Sequence, residues 1–109
     1  MNRAHALRIE GELTIYCAQD VRQRLVQALA ALEAGDAPAL EVDLSAVSEA
    51  DTAGMQLLMA ARRHARARGR DLRLSACSAA AAEVIGLLGL GPYFDLPAAG
   101  QGDAGGAPA

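Results

Sequence analysis

The chain is 109 residues long and 52% hydrophobic but only 3% aromatic, has no tryptophan, and carries a formal net charge of −3. That is enough chain for one domain around an aliphatic core, which suits helices packed on a sheet better than an all-β sandwich. The acidic balance gives no general attraction to nucleic acid or to an anionic membrane, and no apolar run approaches the ~18–20 residues that span a bilayer. All ten basic residues are arginine, a coding bias of GC-rich genomes that says nothing about function. Cys17 and Cys77 lie far apart and form no CxxC or Cys/His cluster, so they read as buried, reduced thiols. The first ten residues, MNRAHALRIE, lack the apolar h-region of a signal peptide. The expectation is a soluble, cytoplasmic protein.

Ala6 to Glu10 alternates and predicts a strand. Gly11-Glu12 is a turn signal and Leu13 to Tyr16 reads as a second short strand, so the pair is expected as a hairpin. From Cys17 the period changes. Val21, Leu25, Ala28, Leu29 and Leu32 recur at spacings of three and four, an amphipathic helix closed by Gly35 and Pro38.

Leu40 to Gly54, reading LEVDLSAVSEADTAG, organises the rest. Leu40, Val42 and Leu44 alternate with Glu41, Asp43 and Ser45, predicting a strand over about 39–44, with 45–50 as a connection. Asp51-Thr52 then opens a second helix, about 53–68, whose apolar stripe is Met55, Leu58, Met59 and Ala65. Its late arginines complement the helix dipole, and Gly69 is the expected C′ residue. Asp71 to Ser75 predicts another strand. Ser78 is a good N-cap for a third helix, 79–88. Tyr93 to Leu96 is apolar enough to dock on the core. Residues 97–109 are rich in Pro, Gly and Ala without periodicity and read as a disordered tail. The domain is therefore expected over 1–96. The order predicts an α/β fold with a mixed sheet of four to five strands, an N-terminal hairpin plus parallel strands, and three to four helices packed on it, stacked on one face.

Catalytic chemistry is poorly provisioned. His5 and His64 have no Ser/Asp or Cys partner at a recognisable spacing, and there is no GxGxxG, no Walker-type phosphate loop and no HExxH. Asp43, Glu49 and Asp51 could in principle hold a metal, but solvated carboxylates and a helix cap are the commoner outcome. No cofactor or metal site is expected. The basic run Arg62 to Arg70 lacks interleaved aromatics, and reads as a solvated helix face or a protein-docking surface before a nucleic-acid site. What remains is the loop Asp51 to Gly54 at a helix start. Either Asp51 or Thr52 can cap the free N–H groups there, and a phosphate on Thr52 would sit at the positive end of the helix dipole.

Asp43-Leu44-Ser45-Ala46-Val47, followed by Asp51-Thr52-Ala53-Gly54 and an apolar helix, resembles the signature of STAS domains, the bacterial anti-sigma-factor antagonists and their relatives. The likeness extends over about residues 6–96. It includes Gly11 to Thr14, the Gly69 to Leu72 step into a strand and the Leu87 to Leu90 close of the third helix. The resemblance implies a non-enzymatic module that binds a protein partner: an anti-sigma factor or its serine/threonine kinase, or a chemotaxis or two-component signalling protein. It implies phosphorylation at the residue after the motif aspartate, here Thr52, with release of the partner. Asp51 would orient the loop, and Gly54 would let a partner approach the helix start. The implied docking surface takes in Thr14, Tyr16, Ser45, Asp51, Thr52, Ala53, Gly54 and Met55. Thr52 stands where the sigma-pathway antagonists commonly carry serine, and Asp51 to Gly54 followed by Met55-Gln56-Leu57-Leu58 looks closer to two other branches. One is linked to chemotaxis or two-component signalling. The other is the cytoplasmic STAS subunit of a phospholipid-trafficking ABC transporter, docked on its ATPase, where phosphorylation is not assumed. The aromatic-poor composition shows no self-association patch, so a monomer is expected when free.

Overall fold

The computed structural model describes residues 5–96; the expected tail, 97–109, lies outside them. In chain order the elements are β1 (His5–Leu13), a 3-10 turn (Ile15–Cys17), α1 (Ala18–Ala34), β2 (Ala39–Ala50), α2 (Thr52–Ala67), β3 (Asp71–Cys77) and α3 (Ala79–Leu87). The strands form one parallel sheet in the order β1-β2-β3. The α/β class and the three helices stand. The expected hairpin does not form, and among the described residues the sheet has three strands, all parallel.

Gly11 is the reason for the difference. Its φ of +80° is open to glycine at little cost, and in sequence it looks like a turn. Here it bends a single strand that continues to Leu13. Beyond Gly11 the chain still pairs with β2, Glu12 opposite Glu49 and Leu13 opposite Ala50. The same pairing carries β2 past Leu44, where the alternation stops. The register slips between Arg8 and Glu10 and again between Gly11 and Glu12. β2 therefore holds two extra residues in bulges, and its inward side chains step from Leu44 to Val47 instead of alternating. A bulge breaks the period of two, which makes 45–50 look like a connection.

The inner face of the sheet carries Ile9 and Leu13 from β1, Leu40, Val42 and Leu44 from β2, and Leu72 from β3, all fully buried with Leu32 of α1 and Met55 and Leu58 of α2. Full burial of such side chains contributes roughly 1.5–3 kcal/mol each. The opposite face exposes Arg8, Glu10, Arg73 and Ser75 and half-exposes Glu41 and Asp43. Arg8 pairs in register with Asp43, and Glu41 with Arg73.

Helix ends are satisfied in two ways. Asp51 and Ser78 cap α2 and α3 from their side chains. Gly69, at φ +76°, ends α2 as expected, and the Arg70 N–H returns to the Ala65 carbonyl at 2.9 Å, a Schellman-type closure. α1 is closed differently, because Gly35 keeps a negative φ of −112°. The Arg70 guanidinium instead donates to the carbonyls of Leu32 (2.8 Å), Ala37 (2.6 Å) and Gly35 (3.0 Å).

The basic run is thus not simply a solvated face. Arg62 is only 2% exposed. It donates to Asp71 (3.0 Å), Asp95 (2.9 Å) and the Tyr93 carbonyl, and its guanidinium lies over the Tyr93 and Phe94 rings. Tyr93 to Leu96 docks on the core as expected, in a turn with Phe94 buried. Cys17 and Cys77 are free and half-buried, not fully buried.

Candidate functional site

Because the sheet is parallel, the carboxyl ends of all three strands reach one edge. The turn after Leu13, the Asp51-Thr52 loop after Ala50 and the start of α3 after Cys77 meet there. Open α/β sheets commonly present their binding features outside this edge.

Asp51 holds the edge together. Its Oδ1 accepts from the Gly54 N–H at 3.0 Å, capping α2, and its Oδ2 accepts from the Ile15 N–H at 3.0 Å. Its own N–H donates to the Leu13 carbonyl at 3.2 Å. One carboxylate thus locks the turn after β1 onto the start of α2. Thr14 performs the local task in that turn: it accepts from the Tyr16 N–H at 3.3 Å and donates to Glu12 at 3.1 Å. The turn pushes two apolar side chains outward, Ile15 at 60% and Tyr16 at 89% exposure.

With Asp51 as the cap, the Thr52 side chain is left exposed at the first position of α2. Among the described residues it forms no side-chain hydrogen bond. Of the two capping candidates in the sequence, the structure selects Asp51.

The expected site residues divide into two groups. Tyr16, Asp51, Thr52 and Ala53 reach the surface, with Thr14 largely buried beneath Tyr16. Gly54 and Met55 are buried. A Cβ on Gly54 would stand 2.1 Å from the Leu13 carbonyl oxygen and 2.7 Å from its Cγ. Gly54 therefore admits the end of β1 against α2, and Met55 is core beneath the loop. Their contribution is to shape, not to direct contact. Ser45 sits on the exposed side of β2, with its N–H on the Asp43 carboxylate at 2.8 Å. Hydrogen bonding to Ser45 holds the Asp43 carboxyl below its ordinary value. Ser45 belongs to the middle of the strand and not to the loop.

The edge also holds residues that sequence reasoning missed. A shallow groove of about 380 Å³ runs beside the loop, lined by Thr14, Tyr16, Ser48, Glu49, Ala50 and Asp51 and, from α3, by Ala80, Glu83 and Val84. Three carboxylates and no cation line it. The signal for α3 was present: Ser78 caps a helix that follows a strand parallel to β2, so its first turn had to reach the same edge. Among the described residues no group of three or more His, Cys, Asp or Glu is arranged to hold a metal, and no helix is long and apolar enough to cross a membrane.

A family model described as "Mlab, STAS domain" matches residues 2–96. Among solved structures, an anti-sigma factor antagonist from Mycobacterium paratuberculosis is similar at a TM-score of 0.65 and 28% identity, over 84% of this chain and 74% of that one. The anti-sigma factor antagonist SpoIIAA in its unphosphorylated form is similar at a TM-score of 0.66 and 22% identity, over 95% of this chain and 88% of that one, a likeness of fold. No curated protein matches this chain in sequence.

Proposed function

The chain belongs to the STAS domain family, and from that premise we propose that it is a non-enzymatic cytoplasmic regulatory module that docks a partner protein through the carboxyl edge of its sheet, with Thr52 as the phosphorylation site that switches docking. The observation that carries this reading is the position of Thr52. Its side chain is exposed at the start of α2, and Asp51 has taken over the capping that would otherwise occupy its hydroxyl. A kinase can reach it without unfolding the helix. The exposed Ile15 and Tyr16 on one side and the groove along α3 on the other supply apolar contact area. Aromatic anchors at the centre of an interface carry much of its binding energy.

A phosphate on Thr52 adds about −1.5 to −2 charge beside Asp51 and close in sequence to Glu49. The helix dipole stabilises it locally by only about 0.3–1 kcal/mol. Burying several like charges under a partner costs more than that, so phosphorylation opposes docking. The partner class supported by the solved relative, described as an anti-sigma factor antagonist, is an anti-sigma factor; a serine/threonine kinase or a chemotaxis or two-component protein would use the same surface.

A second reading, constitutive docking on the ATPase of a phospholipid-trafficking ABC transporter, is favoured by the run Asp51 to Leu58 and by the description of the matching family model. Capture of partners by the tagged wild type, Thr52→Ala and Thr52→Glu, with phosphosite mapping, separates the two. The switch predicts a partner kept by wild type and Thr52→Ala and lost by Thr52→Glu, with phosphate on Thr52. Co-purification of an ATPase and permease without that phosphate supports the second reading.

A further inference from the structure

The groove at the carboxyl edge is electrostatically one-sided. Glu49 from the end of β2 and Glu83 from α3 line it together with Asp51, and no cation does. Both glutamates are exposed, and among the described residues neither forms an ion pair. Another carboxylate, Glu12, stands opposite Glu49 in the register of β1 and β2, where like charges on neighbouring strands repel. The nearby supply of cations is committed elsewhere. Arg62, Arg66 and Arg68 pair with Asp71, Asp95 and Glu33, and Arg24 and Arg70 donate to carbonyls.

Carboxylates alone are ordinarily solvated. What sets this groove apart is the aromatic ring in the same lining, Tyr16, which is 89% exposed. Its backbone is fixed: the Tyr16 N–H donates to the Thr14 hydroxyl, and the neighbouring Ile15 N–H to the Asp51 carboxylate. A free ring on a fixed turn, beside two free carboxylates, matches one side chain above others. A guanidinium is planar, stacks on an aromatic face and donates in a fork to a carboxylate. An ammonium would meet the carboxylates as a point charge and lacks the flat face that stacks on the ring. We infer that this groove receives an arginine side chain of the partner protein, stacked on Tyr16 and paired with Glu49 and Glu83.

This rests on the carboxyl edge being the docking surface, and it adds the chemistry that the partner must present there. Thr52 is not in the lining of the groove. A phosphate on it therefore leaves the groove open and offers the arginine a rival anion outside it.

Titration of the full chain with a blocked leucine-arginine-leucine peptide, followed by amide shifts, tests this. Binding should saturate at roughly millimolar peptide, weaken with salt and move the amides around Tyr16, Glu49 and Glu83. The same peptide with citrulline, which keeps the shape of arginine without its charge, should not bind. Glu49→Gln and Glu83→Gln should each weaken binding by about threefold and together by about tenfold. Tyr16→Leu, which keeps apolar bulk without the ring, should weaken it by about threefold. All three side chains are exposed, and circular dichroism melts verify that the variants fold. Asp36→Asn removes one charge from the exposed loop before β2, at the opposite end of the sheet, and should change nothing. The inference is overturned by absent binding, by equal binding of the citrulline peptide, by an Asp36→Asn effect as large as that of Glu49→Gln, or by shifts centred elsewhere. Partner capture separates it from the reading on which it rests. A partner lost by Thr52→Glu but kept by the double variant Glu49→Gln/Glu83→Gln overturns the arginine and leaves the docking edge standing. A partner lost by the double variant but kept by Thr52→Glu supports the arginine and overturns the switch.

Discussion

The Asp51 carboxylate and the Ile15 amide, 36 positions apart in sequence, are joined by a hydrogen bond of 3.0 Å. The same carboxylate caps α2 through the Gly54 N–H. The motif aspartate is therefore a clamp between two strand ends, and it holds Tyr16 and Thr52 on one surface. Removing it should loosen the carboxyl edge of the sheet before it unfolds the core. Asp51→Ala is expected to cost about 2 kcal/mol, the sum of a lost cap and a lost charged acceptor. Asp51→Asn, with one acceptor oxygen in place of two, should fall between it and wild type. Urea denaturation gives the order, and amide exchange at Ile15 should rise in both variants.

Thr52→Ala should leave stability within about 0.5 kcal/mol of wild type, as an exposed side chain without a capping bond implies. A larger loss in the same denaturation experiment would mean that the Thr52 hydroxyl has a structural task and would weaken its assignment as a switch.

Gly54→Ala sets two effects against each other. Alanine is the better helix former by about 1 kcal/mol. Its Cβ, however, would meet the backbone oxygen of Leu13 at 2.1 Å, and backbone in a paired strand yields little. Overpacking of this kind typically costs about 1–3 kcal/mol. The expected outcome is a net destabilisation, with the largest chemical-shift changes at Leu13 and Thr14.

Arg70→Lys keeps the charge and loses the fork. An ammonium has no rigid geometry that reaches the carbonyls of Leu32, Gly35 and Ala37 together. A loss of about 1–2 kcal/mol is expected, and a lower thermal midpoint with early fraying of the end of α1 would show it.

Asp71 ties stability to pH. Burial pushes its carboxyl up, but hydrogen bonds from Arg62, Arg66 and the Leu72 N–H, together with the Arg62 charge, outweigh burial and hold it at about 2, below the ordinary 3.8. A depressed carboxyl stabilises the fold above its unfolded value and loses that contribution as pH falls through its folded value. About 2 kcal/mol should therefore disappear between roughly pH 4 and pH 2. Asp71→Asn should remove that part of the acid dependence while lowering stability at neutral pH. Denaturation curves for both proteins across that interval make the comparison.

The three helices, the Ser78 cap, the αL glycine at position 69 and the cores of three strands were legible in the chain, whereas the α2 cap was narrowed only to Asp51 or Thr52. Each depends on residues within a few positions of one another. The motif around Thr52 was legible for the same reason, since a strand, a polar loop and a helix follow in sequence. The strand ends were not. Gly11 has the local signature of a turn, and only pairing with β2 turns it into a bend within one strand. Residues 45–50 lack alternation because of bulges whose cause lies in β1.

What the sequence by itself determined is the class of the fold, the family and the place of the Asp51-Thr52 loop at a helix start, because periodicity and the order of strand, loop and helix are properties of neighbouring residues. The tertiary structure alone decided that Asp51 and not Thr52 caps α2, that Gly54 is interior and that Arg62 and Arg70 are structural. It also decided that α3 shares the carboxyl edge of the sheet with Tyr16 and Asp51, and that a groove lies between α1 and α2. Each of these outcomes rests on contacts between residues remote in the chain, and no local pattern specifies which remote carbonyl, carboxylate or side chain will be brought to meet them.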